Sequence, residues 1–356
     1  MSDTPSRDDS AGIDDLIGSG MHGQPAEPRP RRKRRGLRIA LVSLASLVVL
    51  LGGVVAGGFV LVNNLASSVH RIPGVFTKLD AAVAPEGGPP GHALTVLITG
   101  SDTVAHSGHV QSGLYAILRI NAAHTAGSVV NIPPNSVVNI PGHGRHLLQN
   151  AMPMGGPPLL IATVEKLTHV RINHYGVIAF PHVTSVVNAL NGVNVDLPHA
   201  VTSFGHTFHA GINHLNGTTA LYYARQHYSV PNSEELRVLR QSSLIRAILK
   251  KIANHNLLSN PLTAYRVIHA FTQALSVDSN FTNRELESLA LALRHLGSNA
   301  GTFVTAPTHG SAIVDGQSAV FLKHRESRKL WKAISTDSVA AFAKRYPATV
   351  TPSAPR

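Results

Sequence analysis

The stretch "ITGSDTVAHSGHVQSGLYAIL", residues 98–118, decides the fold class because it joins two predicted strands through a polar loop. Apolar β-formers run into "GSD" at residues 100–102, and the chain becomes apolar again from Leu114. An acid at the carboxyl end of a strand is a common position for metal-assisted chemistry on phosphates. Across the loop, residues 111–113 are "QSG", where such a site needs a second acid or a cation. The stretch predicts a strand pair and leaves open whether Asp102 belongs to a complete site.

Strand-like and helix-like segments alternate through the rest of the chain. Strands are predicted at Ala93–Thr99, Leu114–Asn121, Ser128–Ile132, 174–180, 192–197, 301–307 and 318–323. Helices are predicted at Pro157–His169, 181–190, Asn216–Arg225, Glu234–His255, Pro261–Leu275 and Asn283–Leu296. Alternation of this kind is typical of helices packed on both faces of one sheet. The predicted fold class is a three-layer α/β/α domain with a central mixed sheet, preceded by one transmembrane helix.

The transmembrane prediction rests on "IALVSLASLVVLLGGVVAGGFVLV", residues 39–62, which contains no charged residue. At about 1.5 Å per residue this run is long enough to cross a hydrocarbon core of about 30 Å. The basic segment "RPRRKRRGLR" at residues 29–38 precedes it, and the positive-inside rule places that side in the cytoplasm. A cleaved signal peptide is the alternative, but the run lies far from Met1 for one. We predict a single-pass cell-membrane protein with a cytoplasmic N-terminus and an extracytoplasmic C-terminal domain.

Composition shifts divide the chain into six segments. The predicted order is a disordered basic cytoplasmic tail (1–38), the transmembrane helix (39–62), a stalk or linker (63–91), a catalytic or binding domain (92–255), C-terminal helices and strands packed on that domain (256–346) and a flexible tail (347–356).

Charge and cysteine content narrow the function classes. The net charge is +12, and the chain has no cysteine. The absence of cysteine excludes disulfides, thiolate zinc sites and a cysteine nucleophile. A basic domain often indicates nucleic acid, but the predicted topology places it outside the cell. There the polyanions are wall polymers, phospholipid headgroups and lipid-linked phosphates, so we expect no nucleic-acid partner.

Several motifs resemble the LytR-CpsA-Psr family of bacterial envelope proteins when they are taken in order. The longest is "NHLNGTTALYYARQHYSVPNSEELRVLRQSSLIRAIL" at residues 213–249. The others are "GSD" (100–102), "IPGHG" (140–144), "GGP" (155–157), "INHYGVIAF" (172–180) and "LNGVNVDLP" (190–198). The C-terminal "RELESLALALRHL", "TFVTAPT" and "GQSAVFL" are similar to the end of actinobacterial members.

The resemblance implies a task in cell-wall biogenesis. Members of the family are membrane-anchored phosphotransferases that transfer a glycopolymer from a polyprenyl-pyrophosphate carrier to peptidoglycan. They use Mg²⁺ and an arginine cluster at the pyrophosphate, and the carrier chain lies in a hydrophobic tunnel. The implied partners are thus the polyprenyl-pyrophosphate-linked glycopolymer, peptidoglycan and the membrane.

The resemblance also assigns site residues. Asp102 matches the metal-binding acid of the family. The residues that match its substrate-binding and catalytic positions are Arg225, Arg237, Arg240 and Gln241, with His227 matching a second substrate-binding arginine. Arginine suits such a site because its planar fork bonds two phosphate oxygens at once. Arg237, Arg240 and Gln241 also share one helical face, because they are three and four residues apart.

Four departures from the family pattern leave alternatives open. Gln111 and Gly113 replace an arginine and a second metal acid, Pro134 replaces an arginine, and Leu147 lies near the position of a lysine. One alternative is a catalytically impaired homologue that binds polyprenyl phosphate or assists an active paralogue. A second is an extracytoplasmic metal-binding protein. It rests on the His-x-x-His pairs at His106/His109, His143/His146 and His206/His209.

Overall fold

The computed structural model describes residues 67–76, 93–101, 113–226, 233–254, 261–297, 301–314 and 316–351. Fifteen strands are numbered here in chain order within those residues. They are β1 (His70–Ile72), β2 (Leu94–Ser101), β3 (Tyr115–Ile120), β4 (Gly127–Asn131), β5 (Val137–Ile140), β6 (Gly144–Leu147), β7 (His174–Ala179), β8 (Val193–Leu197), β9 (Val201–Ser203), β10 (His206–Phe208), β11 (Gly211–Leu215), β12 (Leu275–Asp278), β13 (Gly301–Thr305), β14 (Thr308–Val314) and β15 (Gln317–Leu322).

The helices fall between these strands and after them. They are α1 (Ala151–Thr168), α2 (Phe180–Ala189), α3 (Gly217–Arg225), α4 (Ser233–Asn254), α5 (Pro261–Ala274), α6 (Asn283–Gly297), α7 (His324–Ser335) and α8 (Val339–Arg345). Helix α1 is broken at Gly155 and Gly156, and Gly156 takes a φ of 67°. The helix resumes at Pro157, where a fixed φ and a missing N–H are compatible with a first helical turn.

Seven strands form a central sheet in the order β1-β12-β7-β2-β3-β4-β13. Strand β2 pairs parallel with β7 and antiparallel with β3, so the sheet is mixed. Strand β1 extends it by pairing parallel with β12, and β13 pairs parallel with β4 at the other edge. The predicted α/β fold with a central mixed sheet is confirmed.

Strand β3 is buried along its whole length, because helices cover both faces of the sheet. Tyr115 and Ile117 face a core shared with α1, α7 and α8. Leu114 and Ala116 point to the other face, where they meet residues of α2, α3, α4 and α5. Alternate residues of a strand point to opposite faces, and both sets are apolar here.

The predicted membrane span, residues 39–62, lies outside the described residues. Within the part of the chain that the structure describes, no helix combines the length and the apolarity needed to cross a bilayer.

One buried acid at the end of α1 gives the domain a pH-dependent stability. Burial raises the pKa of Glu165 above its ordinary value of 4.5, against the effects of the Ile172 backbone hydrogen bond and the charge of Arg171. The Ile172 N–H donates to the Glu165 carboxyl at 2.7 Å. Because the folded-state pKa is raised, this carboxyl stabilises the fold fully below pH 4.5, and the contribution is lost as the pH rises through the folded-state pKa.

We predict that Glu165→Gln stabilises the protein near neutral pH and is neutral near pH 4. Glutamine keeps an acceptor for the Ile172 N–H and removes the ionisation that burial penalises. Urea unfolding of the full-length chain in detergent, at about pH 4 and about pH 7, measures the difference. Asp196→Asn, on the exposed side of β8, is the control and changes stability at neither pH. An equal effect of Glu165→Gln at both pH values would contradict the assignment.

Candidate functional site

Two neighbouring helices bring together four of the predicted site residues, Arg225, Arg237, Arg240 and Gln241, which are called the arginine cluster below. Arg225 is the last residue of α3, and the other three lie on α4. The buried Arg240 joins the two helices, because its Nη1 donates to the main-chain oxygen of Gln226 at 3.2 Å.

Helix α3 is fixed at both ends, and this positions Arg225. At its start the Asn216 side chain accepts a hydrogen bond from the Thr219 N–H at 3.0 Å, which caps the first turn. Toward its end the Tyr223 hydroxyl lies 2.7 Å from the Ser243 hydroxyl of α4. Both of these groups are buried. This contact fixes the last turn of α3, which carries Arg225, against α4.

Arg237 reaches the carboxyl end of strand β2 because Gly113 has no side chain. A Cβ atom placed on the buried Gly113 would lie 2.8 Å from the Arg237 guanidinium carbon. The β2–β3 register pairs Thr99 with Tyr115, and continued by two residues it sets Gly113 opposite Ser101. The guanidinium thus occupies the space that a side chain at residue 113 would fill, beside the end of β2.

Gln241 lies one helical turn from Arg237 and is fully buried, with 0% of its surface exposed. Neither its amide nitrogen nor its amide oxygen has a hydrogen-bond partner among the described residues. A buried amide without partners is costly, and most such groups in proteins bind water or a ligand. Gln241 is therefore an unsatisfied polar group on the helix that carries Arg237 and Arg240.

Two predicted residues lie outside the described residues, namely Asp102, which follows β2 directly, and His227. The arginine cluster supplies cations and an amide but no carboxylate. Mg²⁺ prefers carboxylate and water oxygens. In the described ranges, no group of three or more histidine or acidic residues could hold a metal ion. The predicted magnesium ligand, Asp102, stays a prediction.

Two positions that depart from the family pattern have packing roles in this chain. Leu147 is 1% exposed and pairs with Val137 across the β5–β6 hairpin. Pro134 is buried too, and its carbonyl accepts the Gln149 N–H at 2.9 Å. The neighbouring Asn135 donates from its side chain to the Ser318 carbonyl of β15 at 3.1 Å. These positions now hold the β5–β6 and β14–β15 hairpins in place and carry no cation.

A buried polar network that the sequence did not reveal lies at the other end of β7. His174 Nδ1 lies 3.1 Å from an Asp278 carboxylate oxygen, and its Nε2 lies 3.5 Å from Glu285. The imidazole also stacks on Phe281 at 4.0 Å. Burial alone would raise the pKa of Glu285, but the hydrogen bonds from Thr282 and the nearby His174 outweigh it and lower that pKa. A histidine inside an apolar strand was the only sequence signal.

The side chain of the neighbouring Tyr175 belongs to the core, while its backbone N–H donates to Asp278 at 3.0 Å. Its hydroxyl lies 2.9 Å from the Thr99 hydroxyl of β2, and burial raises the pKa of Tyr175 to about 12. It therefore remains a neutral phenol at any ordinary pH and ties β7 to β2.

A mixed-sheet α/β domain with an arginine beside a strand end, and a second arginine and a buried amide on the same helix, has an arrangement that suits compact anions such as phosphates. Comparison with known families shows to which family the chain belongs. The model of the LytR_cpsA_psr family matches residues 77–336, and the chain belongs to this family.

Characterised relatives share part of the chain. The polyisoprenyl-teichoic acid–peptidoglycan teichoic acid transferase TagU of Enterococcus faecalis is 29% identical over 204 residues, which is 56% of this chain and 65% of that protein, or just under two thirds. The probable cell wall biosynthesis protein LcpB of Corynebacterium glutamicum is 31% identical over 169 residues, covering 47% of this chain and 41% of its own.

A solved structure supports the fold. The superposition on the crystal structure of B. subtilis TagV covers 70% of this chain and 97% of the TagV chain, with a TM-score of 0.57 and 20% sequence identity. At that identity the likeness concerns the fold.

Proposed function

We propose that this protein is a membrane-anchored phosphotransferase that moves a glycopolymer from a polyprenyl-pyrophosphate carrier to peptidoglycan. The single observation that carries the proposal is the arginine cluster, in which the Arg237 guanidinium lies beside the end of β2 and the buried Arg240 and Gln241 follow on the same helix. Family membership and the activity named for the E. faecalis relative, a transferase of teichoic acid to peptidoglycan, support the same reaction class.

The reaction exchanges one phosphorus–oxygen bond for another. A hydroxyl of the acceptor glycan attacks the sugar-linked phosphorus, its proton passes to solvent, and polyprenyl phosphate leaves. The product holds the two polymers through a phosphodiester. Charge that builds on the phosphate oxygens must be neutralised, and guanidinium groups preorganised in a partly buried site do this without rearrangement.

Each residue of the proposed site has its own role. Arg237 and Arg225 bind the phosphate oxygens, and Arg240 holds the ends of α3 and α4 together while adding positive charge. The Gln241 amide donates a hydrogen bond to a phosphate oxygen and so gains the partner that it lacks among the described residues. His227 adds a further donor. Asp102 would hold Mg²⁺, which supplies additional neutralisation of the pyrophosphate when bound.

A second candidate function is a homologue that binds polyprenyl phosphate without turning it over. Gly113 favours it, because the Arg237 guanidinium fills the space of the family's second metal acid. Leu147 and Pro134 favour it as well, since both serve packing in place of cations.

Transfer of labelled glycan separates these two functions. The full-length chain in detergent is incubated with Mg²⁺, peptidoglycan and a polyprenyl-pyrophosphate-linked oligosaccharide that carries a radiolabel. The transferase proposal predicts label bound covalently to the peptidoglycan. Carrier that binds while no label reaches the peptidoglycan would overturn it and support the binding homologue.

Restoring the family residues gives a further prediction. The double substitution Gln111→Arg and Gly113→Asp supplies a cation and places a carboxylate against the Arg237 guanidinium. We expect it to raise the Mg²⁺-dependent transfer rate by about 10²-fold, the scale of one preorganised electrostatic group. The control, Ala200→Asp at an exposed position between β8 and β9, does not change the rate. A fall in rate for the double variant would show that Gly113 suits the site as it is.

A further inference from the structure

A groove lies on the face of the sheet that carries α1 and α7. It has a volume of about 530 Å³ and is bounded by the β5–β6 hairpin, the end of α1, the β14–β15 hairpin and the start of α7. Ligand sites in proteins typically span about 300–1,000 Å³. None of the residues that line this lateral groove belongs to the arginine cluster.

The lateral groove is strongly basic. Arg145, Lys166 and Arg328 line it from three different elements, and all three are exposed. No aspartate or glutamate lines it, and no carboxylate in the described part of the chain pairs with these three cations. Cations held together without neutralisation repel each other, and an anion that binds among them relieves the repulsion.

The base of the groove is aromatic and also offers a hydrogen-bonding group. Phe321 and the largely buried Trp331 line it. Ser327, in the first turns of α7, lines it as well, and its buried hydroxyl has no hydrogen-bond partner within the described ranges. The amino-terminal end of α7 also opens here, and a helix N-terminus favours negative charge. Aromatic surface suits the C–H faces of sugar rings, while the cations suit their acidic substituents.

We propose that the lateral groove binds an anionic glycan, meaning a sugar chain that carries carboxylate or phosphate groups. Charge complementarity selects the anion, and the aromatic base selects sugar rings over a bare phosphate ion. A phospholipid is a poorer fit, because the polar side chains of Asn139 and three histidines interrupt the apolar lining that acyl chains need. The inference rests on the chemistry of the groove and does not depend on the proposed transfer reaction.

Calorimetric titration of the full-length chain in detergent tests the proposal with three defined probes. The probes are a tetrasaccharide of N-acetylglucosamine and N-acetylmuramic acid, an oligomannose 6-phosphate and the neutral chitotetraose. Trp331 is the only tryptophan of the chain, so its fluorescence reports binding at this groove. We expect saturable binding of the carboxylate or the phosphate probe, with at least about tenfold weaker binding of chitotetraose. Whichever acidic probe binds more tightly identifies the source of the glycan.

Matched variants locate the binding. The groove variant Arg145→Gln, Lys166→Gln and Arg328→Gln removes three exposed cations and should weaken binding by about tenfold or more. The control variant Arg266→Gln, Arg284→Gln and Lys344→Gln removes the same charge from exposed positions outside the groove and should bind like the wild type. Arg237→Gln should also bind normally, which separates this site from the arginine cluster.

Four results would overturn the proposal. They are equal losses in the groove and control variants, equal binding of chitotetraose, binding only to phosphatidylglycerol vesicles, and no binding of either acidic probe.

Discussion

Replacing Arg237 by glutamine is expected to lower the rate of pyrophosphate cleavage by about 10²–10³-fold while the fold stays intact. The guanidinium lies at the end of β2 in the space left by Gly113, where charge would develop on a bound pyrophosphate. Glutamine retains a polar side chain of moderate length and loses the charge and the fork. The measurement is phosphate release from geranylgeranyl pyrophosphate by the full-length chain in detergent with Mg²⁺, where water takes the place of the acceptor hydroxyl.

Two further variants determine how Arg237 acts. Arg237→Lys keeps the charge but cannot bond two oxygens in one plane, so we expect a rate between those of the wild type and the glutamine variant. Arg266→Gln removes an exposed arginine of α5 and should leave the rate unchanged. Wild-type rates in Arg237→Gln, with unchanged unfolding curves, would remove Arg237 from the site.

Replacing Asp278 by alanine is expected to destabilise the domain by about 3–5 kcal/mol. This carboxylate is 1% exposed and accepts hydrogen bonds from the N–H groups of Tyr175 at 3.0 Å and Asn280 at 2.9 Å, and it contacts His174. Alanine leaves these buried donors unsatisfied and loosens β12, to which the edge strand β1 is attached. Urea unfolding, followed by the fluorescence of the single tryptophan, measures the loss.

The control for this prediction is Asp196→Ala, an acid on the exposed side of β8, which should change stability by less than about 0.5 kcal/mol. Asp278→Asn retains one acceptor, and its loss of stability should lie between those of Asp278→Ala and Asp196→Ala. A change below about 1 kcal/mol in Asp278→Ala would show that the network contributes little.

Much of the fold follows from local sequence patterns. The predicted strands near β2, β3, β4 and β7 and the helices near α2 to α6 lie within a few residues of their observed bounds, because apolar periodicity marks the buried faces. The shared face of Arg237, Arg240 and Gln241 is confirmed in the same way, since helical spacing alone determines it. That Asp102 and His227 belong to the same site stays a prediction.

Features that depend on distant contacts could not be predicted. Strand β1 is only three residues long, and it exists because β12, far along the chain, pairs with it. The contact of His174 with Asp278 joins residues 104 positions apart, and nothing near either residue indicates it. Helices α7 and α8 were missed, although α7 has a pronounced apolar face that includes Leu330, Trp331 and Ile334.

Binding of a pyrophosphate lipid to the arginine cluster can be measured by one titration. Geranylgeranyl pyrophosphate is titrated calorimetrically into the full-length chain in detergent, in parallel with the Arg225→Gln, Arg237→Gln double variant and the Arg266→Gln, Arg284→Gln control. We expect saturable binding by the wild type and the control, and an affinity at least about tenfold lower in the double variant. Equal affinities in all three proteins would contradict it.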